Sequence, residues 1–292
     1  MRAPVLPLAA ACLGIAVFCC MDAAMKGLGL ALGAYSALLW RTLAGVGVTG
    51  ALWVAGTPVW PDATVLRLHV ARGVVVSAMA ILWFHGITLM PLAQAVAISF
   101  FAPLLALWLA GVFLGEPVTA RAVAGSAIGL AGVGAIVAGR LGEAHGARVV
   151  EGVAAVIASA ALYAINLVLQ RHQAQRADPR EIAFFQTATM LACLLPFGRI
   201  AVWPSGGQGL LIAGSAGCAT VSLLLLSWAY ARAPAAALLP TEYTGFLWLA
   251  LLGSLFFGEA LTAATLAGAA LIVAGCWLAV RGAAPPMEEA LS

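Results

Sequence analysis

Between Arg72 and Glu116 the chain carries no Asp, Glu, Lys or Arg. A bilayer core needs roughly 20 apolar residues per spanning helix, so that interval holds two spans, with Pro91 in TLMPLAQ marking the turn between them. Apolar runs bounded by charge, proline or glycine recur along the whole chain. They predict ten helices near residues 5–25, 34–54, 68–88, 92–114, 119–139, 150–170, 181–199, 208–231, 235–257 and 262–281. The longest polar connections are RLGEAHGAR and QRHQAQRADPRE, and no stretch is left over for a soluble domain.

Composition sharpens this into an all-α integral membrane protein. Charged residues make up 9% of the chain and hydrophobic ones 64%, with a mean hydropathy of +1.06, against about 25% charged in soluble domains. The net charge of +3 is scattered over short loops, which points neither to nucleic acid nor to a polybasic lipid patch. Cys12, Cys19, Cys20 and Cys193 sit in apolar segments without metal-ligand spacing and read as small buried hydrophobes. The apolar run after Arg2 continues to about Met21 without a convincing cleavage site, so it is expected to stay as the first span.

Orientation follows from the excess of Lys and Arg in cytoplasmic loops. With the N-terminus inside, Arg2, Arg67, Arg72, Arg121, Arg171, Arg176, Arg180, Arg232 and Arg281 are cytoplasmic. Lys26, Arg140, Arg148 and Arg199 are then outside, and Arg41 is set apart within the membrane. The expected location is a bacterial inner membrane, multi-pass, with both termini cytoplasmic.

The chain also repeats itself. A shift of 143 residues lays FLGEPVTARAVAGSAIGLAGVGAIV (113–137) on FFGEALTAATLAGAALIVAGCWLAV (256–280), with 11 of 25 positions identical, and sets Pro91 over Pro234. Two halves are expected, 1–146 and 147–292. Five helices per copy is odd, so the second copy enters the membrane inverted. Inverted repeats supply two mirrored states and point to alternating access. In each copy Gly-Glu (Glu116, Glu259) ends one span, and Thr119 or Thr262 opens the next as an N-cap. A carboxylate beside a helix N-terminus is favourable, so these glutamates read first as hinge groups, with gating as the alternative. Gly125, Gly129, Gly132, Gly268 and Gly275 mark the fifth and tenth helices as close-packed buttresses.

These features resemble the drug/metabolite transporter superfamily, in its ten-helix EamA-type members. The resemblance is carried by the two five-helix halves, each with GE before a Gly/Ala-rich last span. MDAAMKGL (21–28), LLWRTLAG (38–45) and PLAQAVAISFFAPLLALWL (91–109) add to it. It implies a central cavity walled by helices 3, 4, 8 and 9 with parts of 1 and 6, and supported by helices 5 and 10. It also implies secondary active export of amino acids, aromatic or hydrophobic ones first, as in bacterial aromatic amino-acid exporters. An importer of a vitamin or cofactor such as riboflavin or S-adenosylmethionine is the alternative on the same fold. No cofactor or metal is implied. The expected partners are a small-molecule substrate and membrane lipid, with no nucleic acid, and the expected state is monomeric. An enzyme is disfavoured, since the sequence has no HExxH, GxSxG or P-loop.

Polar groups inside a membrane are costly and tend to face a cavity. Asp22 and Lys26, four apart, share a helix face and can pair. Arg41 either snorkels outward or pairs with Asp22; both uses are structural, with gating or carboxylate binding as the alternative. The cavity candidates are Trp83, His85, Gln94, Ser99, Tyr163, Asn166, Trp228, Glu242 and Tyr243. Glu242 lies two residues after the helix-breaking Pro240 and can hold an ammonium or a coupling proton. Its counterpart under the shift is Ser99. Helix–helix bonding is the bland alternative for Gln94 and Ser99, an interfacial or packed side chain for His85, and satisfaction by a neighbouring donor such as Tyr230 or Arg232 for Glu242.

Overall fold

A computed structural model describes residues 5–56, 59–102, 105, 108, 120–143, 147–174, 176–230, 232, 241 and 244–280. Among these, ten α-helices appear: α1 (Val5–Leu32), α2 (Ala34–Val54), α3 (Ala63–Leu89), α4 (Leu92–Ser99), α5 (Ala120–Glu143), α6 (Ala147–Ala174), α7 (Pro179–Leu194), α8 (Gln208–Tyr230), α9 (Thr244–Phe257) and α10 (Ala263–Val280). A 3₁₀ segment, Leu195–Ile200, prolongs α7, and no strand occurs among the described residues. Helices α1, α2, α3, α6, α7 and α8 are each long and apolar enough to cross a bilayer. Glu116, Glu242 and Tyr243 lie outside the described residues, as do Thr119, Pro234 and Pro240.

Local chemistry sets the helix ends. Asp62 caps α3, its carboxylate accepting from the N–H groups of Thr64 and Val65 at 2.8 and 2.9 Å, which starts the helix five residues earlier than the apolar pattern suggests. Arg67 therefore lies in the helix and not in a loop, and stays exposed, while Arg72 lies deeper in the helix than the expected start at 68 would put it, and is buried. Asp178 caps α7 in the same way, with Pro179 at its first position. Thr262 accepts from Thr265 N–H and opens α10, as the sequence implied. Between α1 and α2 stands a single residue, Gly33 at φ 81°, where a side chain would be strained.

The helices cross alternately, so two faces can be named: the N-terminal face, where α1 begins, and the far face, where the α1–α2, α3–α4, α7–α8 and α9–α10 connections lie. Among the packed pairs are α1 with α8, α3 with α6, α2 with α7, α4 with α9 and α5 with α10. Advancing every helix by five exchanges α1·α8 with α6·α3 and leaves α2·α7, α4·α9 and α5·α10 unchanged. The two inverted halves thus interleave, each first helix seated against the third helix of the other half.

The α5–α10 seam fixes the register of the repeat. A Cβ on Gly132 would stand 2.6 Å from the Gly268 carbonyl oxygen, and one on Gly268 2.6 Å from that of Gly132; a Cβ on Gly275 would collide with the Gly125 carbonyl. The 143-residue shift carries Gly125 to Gly268 and Gly132 to Gly275, so the two glycine contacts are images of one another across the pseudo-two-fold. Backbones approach this closely only where side chains are absent. Helices α5 and α10 form the supporting pair that the sequence suggested.

Candidate functional site

Three groups of polar side chains lie inside this apolar assembly, one near each face and one between. At the far face, α9 ends at Phe257 and Gly258 adopts φ 63°. That turn closes the Glu259 N–H onto the Gly253 carbonyl at 3.1 Å and sends the Glu259 side chain back over the helix end. Its Oε2 accepts from the Leu92 N–H at 2.8 Å, and its Oε1 pairs with the Lys26 ammonium, which also donates to the Met90 carbonyl at 2.7 Å. Phe257 covers the ammonium at 5.3 Å. Lys26 and Glu259 are 7% and 12% exposed. The pair joins α1 to the α3–α4 turn and the α9–α10 turn, so Lys26 turns to Glu259 and not to Asp22, as its spacing had suggested. Glu259 is a cross-half latch and more than a local helix-end charge.

Between the faces, Asp22 and Arg41 form the second group. At about 1.5 Å per residue, Asp22 lies about 15 Å below the far end of α1 and Arg41 about 10 Å below that of α2. Asp22 is 1% exposed and accepts the Trp83 indole N–H at 3.0 Å. Each of Asp22 and Arg41 lies in the other's electrostatic field, yet no ion pair joins them among those the described residues form. The Arg41 guanidinium stacks over Phe84 at 5.3 Å and reaches only the Met21 thioether, a weak acceptor, at 3.4 Å. Its Nε is buried without a hydrogen-bond partner. A buried donor left so costs about 1–3 kcal/mol, more for a charged group. Gln186 lies as far into α7 as Arg41 does into α2, and the Gln186 Oε1 is buried and unpartnered too. Gln94 Oε1, Thr42 Oγ1 and Ser222 Oγ share that condition.

The third group, towards the N-terminal face, was not foreseen. His69, Arg72, Asn166 and Gln173 are all at most 4% exposed and run as one hydrogen-bonded chain to Glu181. With Asp62 unrecognised as the cap, the expected helix starts at 68 and Arg72 stands near its cytoplasmic end with the other basic residues. The signal available was WPDATV, an Asp before an apolar run.

The sequence candidates divide among these groups. Trp83 belongs with Asp22; Asn166 belongs to the N-terminal chain, and Tyr163 stands beside it in the field of Arg72, against Ala102, Ala160 and Ala164. Gln94 is 3% exposed in the first turn of α4, just below the latch. Ser99 returns its hydroxyl to the Val96 carbonyl at 2.8 Å. His85 meets Glu151 at 2.9 Å at an exposed rim of the α3–α6 seam. Trp228 lies at the N-terminal-face end of α8 under the Arg232 guanidinium, 4.3 Å from its ring centroid. Two open grooves of about 600 and 430 Å³ lie elsewhere, on α4–α9–α10 and α1–α8. Both are apolar and lack the converging polar groups of a ligand site.

Sequence comparison matches this chain to the EamA-like transporter family twice, over residues 6–138 and 150–281. The chain belongs to that family. An uncharacterized transporter of Archaeoglobus fulgidus is 30% identical over 230 residues, 76% of this chain and 77% of its own. A solved crystal structure shares the fold, with a TM-score of 0.63 at 22% identity, over 94% of this chain and 96% of that one. The double match agrees with the interleaved pairs and the glycine register: this EamA-type chain is a multi-pass transporter of small molecules built from two inverted halves.

Proposed function

We propose that this EamA-type chain exports α-amino acids, hydrophobic and aromatic ones first, across a bacterial inner membrane by alternating access, with its N-terminal face in the cytoplasm. One observation carries the substrate class. Asp22 and Arg41 hold opposite charges deep in the apolar assembly without neutralising each other in an ion pair, and Trp83 and Phe84 flank them. A zwitterion offers what this arrangement lacks, a carboxylate for the guanidinium fork and an ammonium for the carboxylate, while its side chain meets the aromatic pair. Charges of both signs would be an expensive way to carry a neutral solute through lipid.

The latch supports the same reading. Lys26 and Glu259 tie the two halves together at the far face, a contact that must break for a substrate to leave on that side. For the export direction, leaving out the buried Arg72 and Lys26 alike leaves eight Arg on the N-terminal side against three Arg on the other, which still favours an inside N-terminus.

The test is flux in proteoliposomes of labelled phenylalanine, tryptophan, methionine, threonine, riboflavin and S-adenosylmethionine, with and without an imposed pH gradient. Amino-acid flux that falls at least tenfold in Asp22→Asn and Arg41→Gln supports the proposal. Cofactor flux with inert amino acids overturns it.

A further inference from the structure

The chain of side chains at the N-terminal face has a direction, and that direction is forced. Arg72 can only donate. Its Nε donates to Asn166 Oδ1 at 2.9 Å and its Nη1 to Gln173 Oε1. With its oxygen held there, Gln173 must present its NH₂ to His69 Nδ1, so Nδ1 is an acceptor and bears no proton. The other ring nitrogen, Nε2, then carries the hydrogen and donates it to Glu181 Oε1 at 2.8 Å. The ring is fixed against Phe185, centroids 5.0 Å apart and planes within 11°. One arginine thus sets the tautomer of a fully buried histidine two residues along the chain of bonds.

We propose that His69 is a proton-binding site of this protein, and that a proton on its Nδ1 and the Arg72–Gln173 hydrogen bond exclude each other. The bond formed is Nδ1–H, and the proton comes from water at the N-terminal face. A protonated Nδ1 needs an acceptor. Gln173 can become one only by turning its oxygen to the ring, and its NH₂ would then face the Arg72 Nη1, donor against donor. The Arg72–Gln173 bond is lost, Arg72 keeps Asn166 on α6, and the imidazolium on Nε2 holds the Glu181 carboxylate on α7 more tightly. One proton loosens one of the bonds between α3 and α6 and tightens the one from α3 to α7.

The surroundings single out Glu181 as the counter-charge. It is 15% exposed, and among the described residues it is the ionisable group hydrogen-bonded to His69. Among the described side chains the other charged groups at this end are solvent-exposed: Asp62, Arg67, Asp178, Arg180, Arg232, and Arg176, whose guanidinium turns to His172. From α2 the neighbours are aromatic, Trp53 stacking on Phe184 and meeting Phe185 edge-on. The 143-residue shift carries His69 to Ile212 and Arg72 to Ser215, so the device belongs to one half only.

Two measurements test this without any substrate, so their outcome does not depend on what is exported. In the ¹⁵N-histidine-labelled wild-type protein, assigned by His69→Gln, the His69 resonance is expected in the Nε2–H tautomer at pH 8. It should titrate together with the Arg72 side-chain signals. An Nδ1–H tautomer, or titration with Arg72 unmoved, overturns the proposal. In the second, spin labels at Val70→Cys and Arg176→Cys, on a background free of other cysteines, report the α3–α6 separation between pH 5 and 8. The separation should change with pH in the wild type and in His85→Gln and His172→Gln, and the change should be lost in His69→Gln. The same pH response in His69→Gln refutes the assignment, and should that variant not fold, the tautomer measurement on the wild type decides alone.

Discussion

Replacing Glu259 by Gln removes the charge of the latch while keeping an oxygen for the Leu92 N–H, which isolates the contribution of the Lys26 pair. Both partners are mostly buried, at 7% and 12% exposure, so water screens little of their attraction. Lys26 also keeps its bond to the Met90 carbonyl at 2.7 Å, so the ammonium is not abandoned outright, and the full 3–5 kcal/mol of a broken buried pair is not expected. A hydrogen bond to a charged partner contributes about 1.5–3 kcal/mol. The latch exists only with the far face closed, so that amount should be withdrawn from the closed state alone. The equilibrium then moves towards the far-open state by roughly 10- to 150-fold. Spin labels at Leu30→Cys on α1 and Leu261→Cys in the α9–α10 turn, both exposed in the closed form, read the two populations as two distances. A double-mutant cycle with Lys26→Met completes the measurement. If the variants fold and the distance distribution stays as in the wild type, or if the two single effects merely add, the pair does not hold the face closed and the reasoning fails.

Arg41→Lys keeps the charge but loses the planar fork and the stacking on Phe84; amino-acid affinity should drop 10- to 100-fold, measured as KM in proteoliposomes, with little change in a carboxylate-free amine of the same side chain. Trp83→Phe removes the indole donor from Asp22 at 3.0 Å and should weaken ammonium-bearing substrates by about 1 kcal/mol, roughly fivefold in competition binding. Gly268→Val forces a side chain into the space of the Gly132 carbonyl and Ile136 and should cost about 1–3 kcal/mol of stability, lowering the thermal midpoint in detergent. Gly134→Ala on the same helix as Gly132 meets nothing within 4 Å and should leave that midpoint in place.

What the sequence determined by itself was the set of apolar lengths and the repeat. Ten spans follow from apolar blocks of bilayer length, because lipid leaves no other place for them, and the 143-residue register follows from GE and glycine spacing that the Gly125–Gly275 and Gly132–Gly268 contacts then reproduce. The helix ends were legible where a cap was recognised, as at Thr262, and misplaced where one was not, as at Asp62. That single cap moved Arg72 from the second turn of the expected helix into the third turn of α3.

The polar partners were beyond the sequence. Residues four apart on one helix, such as Asp22 and Lys26, advertise a local pair, yet in lipid each charge is drawn to the partner that best completes its hydrogen bonds, wherever the chain brings it. Lys26 found Glu259, 233 residues away, because a positive-φ glycine turned that carboxylate back over the helix end. His69, Gln173 and Glu181 met because inverted halves interleave, seating α3 of one against α6 and α7 of the other. Periodicity records which face of a helix is apolar. Which two helices meet, and which donor finds which acceptor between them, is decided by packing the whole set at once.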